Sequence, residues 1–174
     1  MKWQDLIIDG FGRVLELVEP ALDGLSRAEL DRQPNPDCNS IGWIVWHLTR
    51  GQDAQIADLM GGEQVWVKEK WYVKFKRAAD PGDTGFGHGP EDVAAFKSPD
   101  TGVLMDYYRA TLEQTKRYLS GLSLKDLDRE LDEAYQPRPT VGVRIVSIMA
   151  DCLQHSGEAA YLRGFLKGKG WLGY

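Results

Sequence analysis

Apolar positions divide the chain before anything else does. From Trp3 onward they recur at Leu6, Ile7, Phe11, Val14, Leu15, Val18, Leu22 and Leu25, the three-and-four spacing that lines one stripe of an α-helix. This is helix one. Pro20 sits late in the stripe and is expected to kink or shorten it, because proline removes a backbone donor and crowds the preceding turn. Gln33-Pro34-Asn35-Pro36-Asp37 cannot continue a helix, and Ser40 then offers a side-chain oxygen as N-cap to a run beginning at Ile41. Helix two carries Ile44, Val45, Leu48, Ile56 and Leu59 and ends at Gly61-Gly62.

The stretch from Gly61 to Gly102 loses this regularity. It holds Pro81, Pro90 and Pro99, and its one short helical pattern runs from Glu91 to Phe96. About forty residues of this kind inside a small domain form a functional loop or a crossover connection. Pattern returns at Val103, Leu104, Tyr107, Tyr108, Leu112, Tyr118 and Leu119, which make helix three. Gln136-Pro137-Arg138-Pro139 turns the chain, Thr140 is a second N-cap candidate, and helix four carries Ile145, Ile148, Met149, Cys152, Ala159, Leu162 and Leu166. Leu22 to Arg32 aligns with Leu119 to Arg129, and Ser40-Ile41-Gly42 with Thr140-Val141-Gly142, a weak internal repeat that duplication and a shared helix–turn–helix solution explain equally well. The expected architecture is all-α, a four-helix bundle of two hairpins with a long crossover between helices two and three.

Composition narrows the classes of function. The 174 residues, 43% of them apolar, suffice for one sizeable core, so a single domain over 1–174 is expected. A formal charge of -5 argues against nucleic acid, whose binding draws on clustered Lys and Arg. The one local basic cluster, Lys68, Lys70, Lys74, Lys76 and Arg77, alternates with Trp71, Tyr72 and Phe75 and reads as a solvated face. Two distant cysteines, Cys38 and Cys152, form no CxxC pattern and fit a reducing compartment. No secretory segment and no membrane-length apolar run is visible, so a cytoplasmic protein with no membrane partner is expected.

Candidate chemistry lies on the helices. Of three histidines, His47 and His155 fall inside apolar helical runs and His88 in the glycine-rich loop. Asp151 and His155 stand four apart on one helical face, roughly 5–6 Å between Cβ atoms. With His47 from a facing helix they would make an open site of two nitrogens and one carboxylate, suited to zinc, nickel, iron or manganese. On spacing alone two other readings stay open. His47 can be a hydrogen-bonded core histidine, and Asp151 with His155 a buried ion pair.

Residues 39–48, Asn-Ser-Ile-Gly-Trp-Ile-Val-Trp-His-Leu, resemble the helix-two signature of the DinB-like superfamily, and residues 151–158, Asp-Cys-Leu-Gln-His-Ser-Gly-Glu, resemble its helix-four signature, typically His-x-x-x-His-x-Gly. The loop from Asp80 to His88, with Trp71-Tyr72 before it, is similar to one uncharacterised branch. The resemblance covers nearly the whole chain and implies a DinB-type bundle holding one divalent metal ion, zinc foremost, through His47, Asp151 and His155. Asp151 departs from the usual histidine, although the superfamily's mycothiol-dependent maleylpyruvate isomerase has a carboxylate there.

The resemblance also implies a metal-dependent S-transferase or isomerase using a low-molecular-weight thiol, of the mycothiol or bacillithiol type, on a small electrophile. A metal-dependent hydrolase and a non-catalytic binding protein are the alternatives. Glu158, Tyr161 and Arg163 are candidates to orient ligands or substrate, Trp43 and Trp46 to wall the pocket, and the loop around Trp71, Tyr72 and His88 to close over it. A homodimer is expected because members commonly pair through helix faces and six tryptophans are hard to bury in one small core.

Overall fold

Four long amphipathic helices dominate a computed structural model of the protein, which describes residues 1–168, 170 and 171. In chain order the helices are α1 (Trp3–Leu22), α2 (Arg27–Leu30), α3 (Ile41–Met60), α4 (Val65–Lys68), α5 (Trp71–Phe75), α6 (Pro90–Ala95), α7 (Thr101–Gly121) and α8 (Val141–Lys167), with a 3₁₀ turn at Leu124–Asp128. Among the described residues there is no strand, only an isolated bridge between Glu130 and Thr140. The all-α bundle expected from the stripes is therefore the observed fold, with α1, α3, α7 and α8 as its four helices. Pro20 lies inside α1 but in its last turn, and the helix ends two residues later.

The termini follow local chemistry. Ser40 Oγ accepts from the Trp43 amide at 3.3 Å and Thr140 Oγ1 from the Val143 amide at 3.3 Å, so both predicted caps are made. Gly61 stops α3 in the left-handed conformation (φ 61°) that glycine adopts at little cost. The repeat is real at the level of structure. Ser26 with Glu29, and Ser123 with Asp126, form matching capping boxes. Gly42 and Gly142 each admit a close carbonyl, those of Leu30 and Leu127, which an added Cβ would meet at 3.2 and 3.3 Å.

Packing places α3 at the centre. It lies against α8 and α7, and α1 lies against the same two helices. The first turns of α3 are buried on every side, from Ile41 through Trp46, which an apolar helix tolerates only when something covers its outer face. The crossover 61–100 is that cover. Trp66, with no exposed surface, packs beside Phe75 and Tyr107 at ring-centroid distances of 5.3 and 5.5 Å. Burying one such ring stabilises by about 4–6 kcal/mol before ordering entropy is subtracted. Four of the six tryptophans, Trp43, Trp46, Trp66 and Trp71, are buried this way. The tryptophan count thus needs no partner chain to explain it.

The crossover is also held by charge. Arg50, on α3 and fully buried, donates to the carbonyls of Asp83 (3.0 Å), Pro81 (3.0 Å) and Asp80 (3.3 Å) and to Gln64 Oε1 (2.8 Å). Asp53, one turn on, accepts the amides of Val65 and Trp66 and the Tyr107 hydroxyl, each at 2.8 Å, and stands 3.7 Å from Arg50. Burial outweighs those bonds and raises the Asp53 pKa. A pair left without these partners would cost several kcal/mol, so its satisfaction fixes where the crossover runs.

Candidate metal centre

His47 and Asp151 with His155 come from the helices α3 and α8, which pack directly on each other. The two imidazole centroids are 4.9 Å apart and nearly perpendicular, at 80°. Asp151 Oδ1 stands 3.6 Å from His155 Nε2, too far for a hydrogen bond. Its other oxygen faces α3 at Gly51, one turn after His47, where an added Cβ would lie 3.7 Å away. The sequence-nominated residues therefore share one place. They do not form a closed cage: among the described residues, no group of three or more His, Cys, Asp or Glu is placed so that it could hold an ion.

The donor chemistry nonetheless fits a cation. His47 Nδ1 lies 2.6 Å from the Thr84 carbonyl, which can only accept, so the proton must be on Nδ1. His155 Nδ1 lies 2.7 Å from Glu158 Oε2, a carboxylate that places its proton likewise. In their neutral forms both imidazoles are thus oriented through Nδ1, which leaves Nε2 as a lone pair, the arrangement by which ligating histidines are fixed and made more basic. Burial is the main cause that lowers the His47 pKa, opposed chiefly by the Thr84 bond. A neutral imidazole is the ligating form.

The walls come from residues outside the triad. Trp43 stacks on His47 at 4.7 Å and 16°, and its Nε1 donates to His88 Nδ1 at 3.2 Å. That bond leaves the His88 proton on Nε2, 3.3 Å from Asp83 Oδ1, while Arg77 donates to Asp83 Oδ2 from Nε (3.0 Å) and Nη2 (2.7 Å). His88 is held by Trp43 through Nδ1, while its Nε2 stands near Asp83 without a hydrogen bond. Gly85 (φ +87°) brings the loop against the site, for a Cβ there would stand 2.8 Å from His47 Nδ1 and 3.0 Å from the Trp43 and Trp46 rings. The loop expected as a cover is pinned by Arg50 and serves the site as the acceptor for His47.

Sequence reasoning missed Thr84, Gly85, Arg50, Asp53, Asp83 and Arg77. Arg50 and Asp53 left a readable signal, two charges three apart inside an apolar helix; Thr84 left none, since it acts through its backbone. Of the three residues nominated beyond His155, Glu158 reaches it, Tyr161 is 78% exposed, and Arg163 turns away to the Asp23 carbonyl at 2.5 Å. A groove of about 650 Å³ opens beside the site, lined by Cys38, Ile44, Glu158, Tyr161, Leu162 and Phe165 among others. Glu158 joins groove to imidazole. Cys152, by contrast, is buried, and that burial pushes its thiol pKa up.

Comparison with known proteins follows the same lines. Residues 11–159 match the family model of the DinB superfamily. The crystal structure of the conserved protein of locus from Enterococcus faecalis is similar throughout, with a TM-score of 0.90, 31% sequence identity, and coverage of 97% of this chain and 99% of that one. No curated protein matches the chain.

Proposed function

This chain belongs to the DinB superfamily, and from that premise we propose that it holds one divalent metal ion, zinc before nickel, iron or manganese, through His47, Asp151 and His155, and works on a small molecule with a low-molecular-weight thiol as co-substrate. Superfamily membership fits a metal-binding protein. The observation that carries the ion is the pair of imidazoles 4.9 Å apart, each with Nδ1 engaged by a fixed acceptor and Nε2 free. Asp151 would add a carboxylate to two neutral nitrogens, an open set of three. The thiol rests on the family resemblance, and the reaction is an S-transfer or isomerisation on an electrophile.

When bound, the ion would lower the pKa of a thiol or water placed against it and hold it as a nucleophile. The protein's own residues do the rest. Thr84 and Glu158 keep the two imidazoles aligned. Trp43 covers one face of His47 and excludes water from it. The groove takes the apolar body of the substrate between Ile44, Leu162 and Phe165.

A turnover screen of zinc-loaded protein against electrophiles, with and without mycothiol, bacillithiol or a simpler thiol, tests the reading. Thiol-dependent turnover that disappears in His155→Ala supports it. Turnover of esters or amides without thiol makes the protein a hydrolase instead. No turnover of either kind leaves an ion-binding protein without catalysis.

A further inference from the structure

A second cleft, of about 530 Å³, lies where three separate segments converge. The turn α2 gives Arg27 and Asp31, the end of α5 gives Lys74, Lys76 and Arg77, and the stretch between α6 and α7 gives Lys97 and Asp100. Five cations against two carboxylates line the cleft, and with Asp83, which pairs with Arg77 from outside the lining, a formal excess of two positive charges remains in a chain whose net charge is -5. Both carboxylates are also committed. Asp31 accepts the Ser98 amide at 2.8 Å, and Asp100 caps α7 at the Val103 amide at 3.0 Å while meeting Arg27 at 3.4 Å.

The cations differ in how free they are. Lys74 sits over the Trp71 ring at 3.9 Å, and Lys97 gives one proton to the Ala94 carbonyl at 2.9 Å. Lys76 is exposed. Arg77 has its guanidinium carbon 4.7 Å from the Trp46 ring centroid and spends Nε and Nη2 on Asp83. Among the described residues its Nη1 has no hydrogen bond, so the Nη1–Nη2 fork remains. A planar fork held in place by Asp83 matches two oxygens of a phosphate group, and the ammonium groups around it supply point charges. The cleft is roomier than a bare phosphate needs, with Phe75 and Val103 in its wall for an apolar body.

We propose that this cleft binds the phosphate group of a phosphorylated small molecule, with Arg77, Lys76 and Lys97 as its direct contacts. It is a site separate from the candidate ion centre. The two are linked through Arg77, Asp83, His88 and Trp43, and through Arg77 over Trp46.

Calorimetric titration with inorganic pyrophosphate at low ionic strength tests this, because the probe needs no knowledge of the natural ligand. One saturable site per chain is expected. The exposed double variant Lys76→Ala/Lys97→Ala should weaken it at least about tenfold, whereas Lys68→Ala/Lys70→Ala, the same charge change in the same basic cluster but outside the cleft, should alter it less than about twofold. A His155→Ala chain should bind as the wild type does. Absence of saturable binding, equal weakening by the two double variants, loss of binding in His155→Ala, or succinate binding as tightly as pyrophosphate would each overturn the assignment.

Discussion

Replacing Arg50 with methionine removes the side chain that ties the crossover to α3 while keeping much of its volume. The guanidinium has no exposed surface and makes five hydrogen bonds, three of them to carbonyls of the loop at Asp80, Pro81 and Asp83. Charged hydrogen bonds at about 1.5–3 kcal/mol each would sum to about 8–15 kcal/mol, but bonds sharing one group are not additive. The better guide is the loss on breaking a buried pair, about 3–5 kcal/mol, because Asp53 is left charged and buried without Arg50. For a chain of this size each kcal/mol moves Tm by about 2–4 °C, so Arg50→Met should lower Tm by about 6–20 °C in a calorimetric or circular-dichroism melt. The same change should loosen Thr84, which follows Asp83, and weaken ion binding about 10–100-fold through the lost acceptor of His47. Arg50→Lys keeps the charge but not the planar fork and should fall between. A loss of stability below about 1 kcal/mol would refute the reasoning and assign the crossover's placement to its aromatic packing alone.

Other expectations concern the site itself. Gly85→Ala puts a Cβ 2.8 Å from His47 Nδ1 at φ +87°; it should cost about 1–3 kcal/mol in denaturant unfolding and shift the His47 ring resonances, and unchanged resonances would mean that the loop does not touch the ring. Asp151→Ala should weaken zinc binding severely, Asp151→Asn less, and Asp151→His should restore it, all read by competition with a chelating dye; full affinity in all three would remove Asp151 from the site. Burial lowers the His47 pKa below its ordinary value near 6.5, so the unfolded chain takes up the proton at higher pH than the folded one. The stability of metal-free protein linked to this group is therefore complete above about pH 6.5 and is lost as pH falls below it toward the folded pKa, a loss that His47→Gln should abolish in paired melts at pH 7.5 and 5.5.

The long helices were legible because their stripes run for many turns, and so were their ends, since Ser40, Thr140 and Gly61 act through their own local chemistry. The short helices α2, α4 and α5 were not, because four or five residues carry no period. Trp66 and Trp71 take their positions from Asp53, Arg50 and Tyr107, distant partners that no window along the chain contains. Spacing left His47 and the Asp151–His155 pair ambiguous, and it was the resemblance that joined them; the structure adds their common location and the two Nδ1 partners. Pairing of two chains stays a proposal, and the face of α8 where Val143, Val146 and Leu153 are exposed is its support rather than the tryptophans. Among the described residues no helix is long and apolar enough to cross a membrane.

Metal analysis of protein purified without a histidine tag and equilibrated with zinc decides whether His47 and His155 hold an ion. About one ion per chain is expected in the wild type and less than about a tenth of that in His47→Ala and in His155→Ala, with each variant still folded because the bundle core does not depend on the ion. Wild-type protein that retains no ion after equilibration, or full occupancy in both histidine variants, would contradict it.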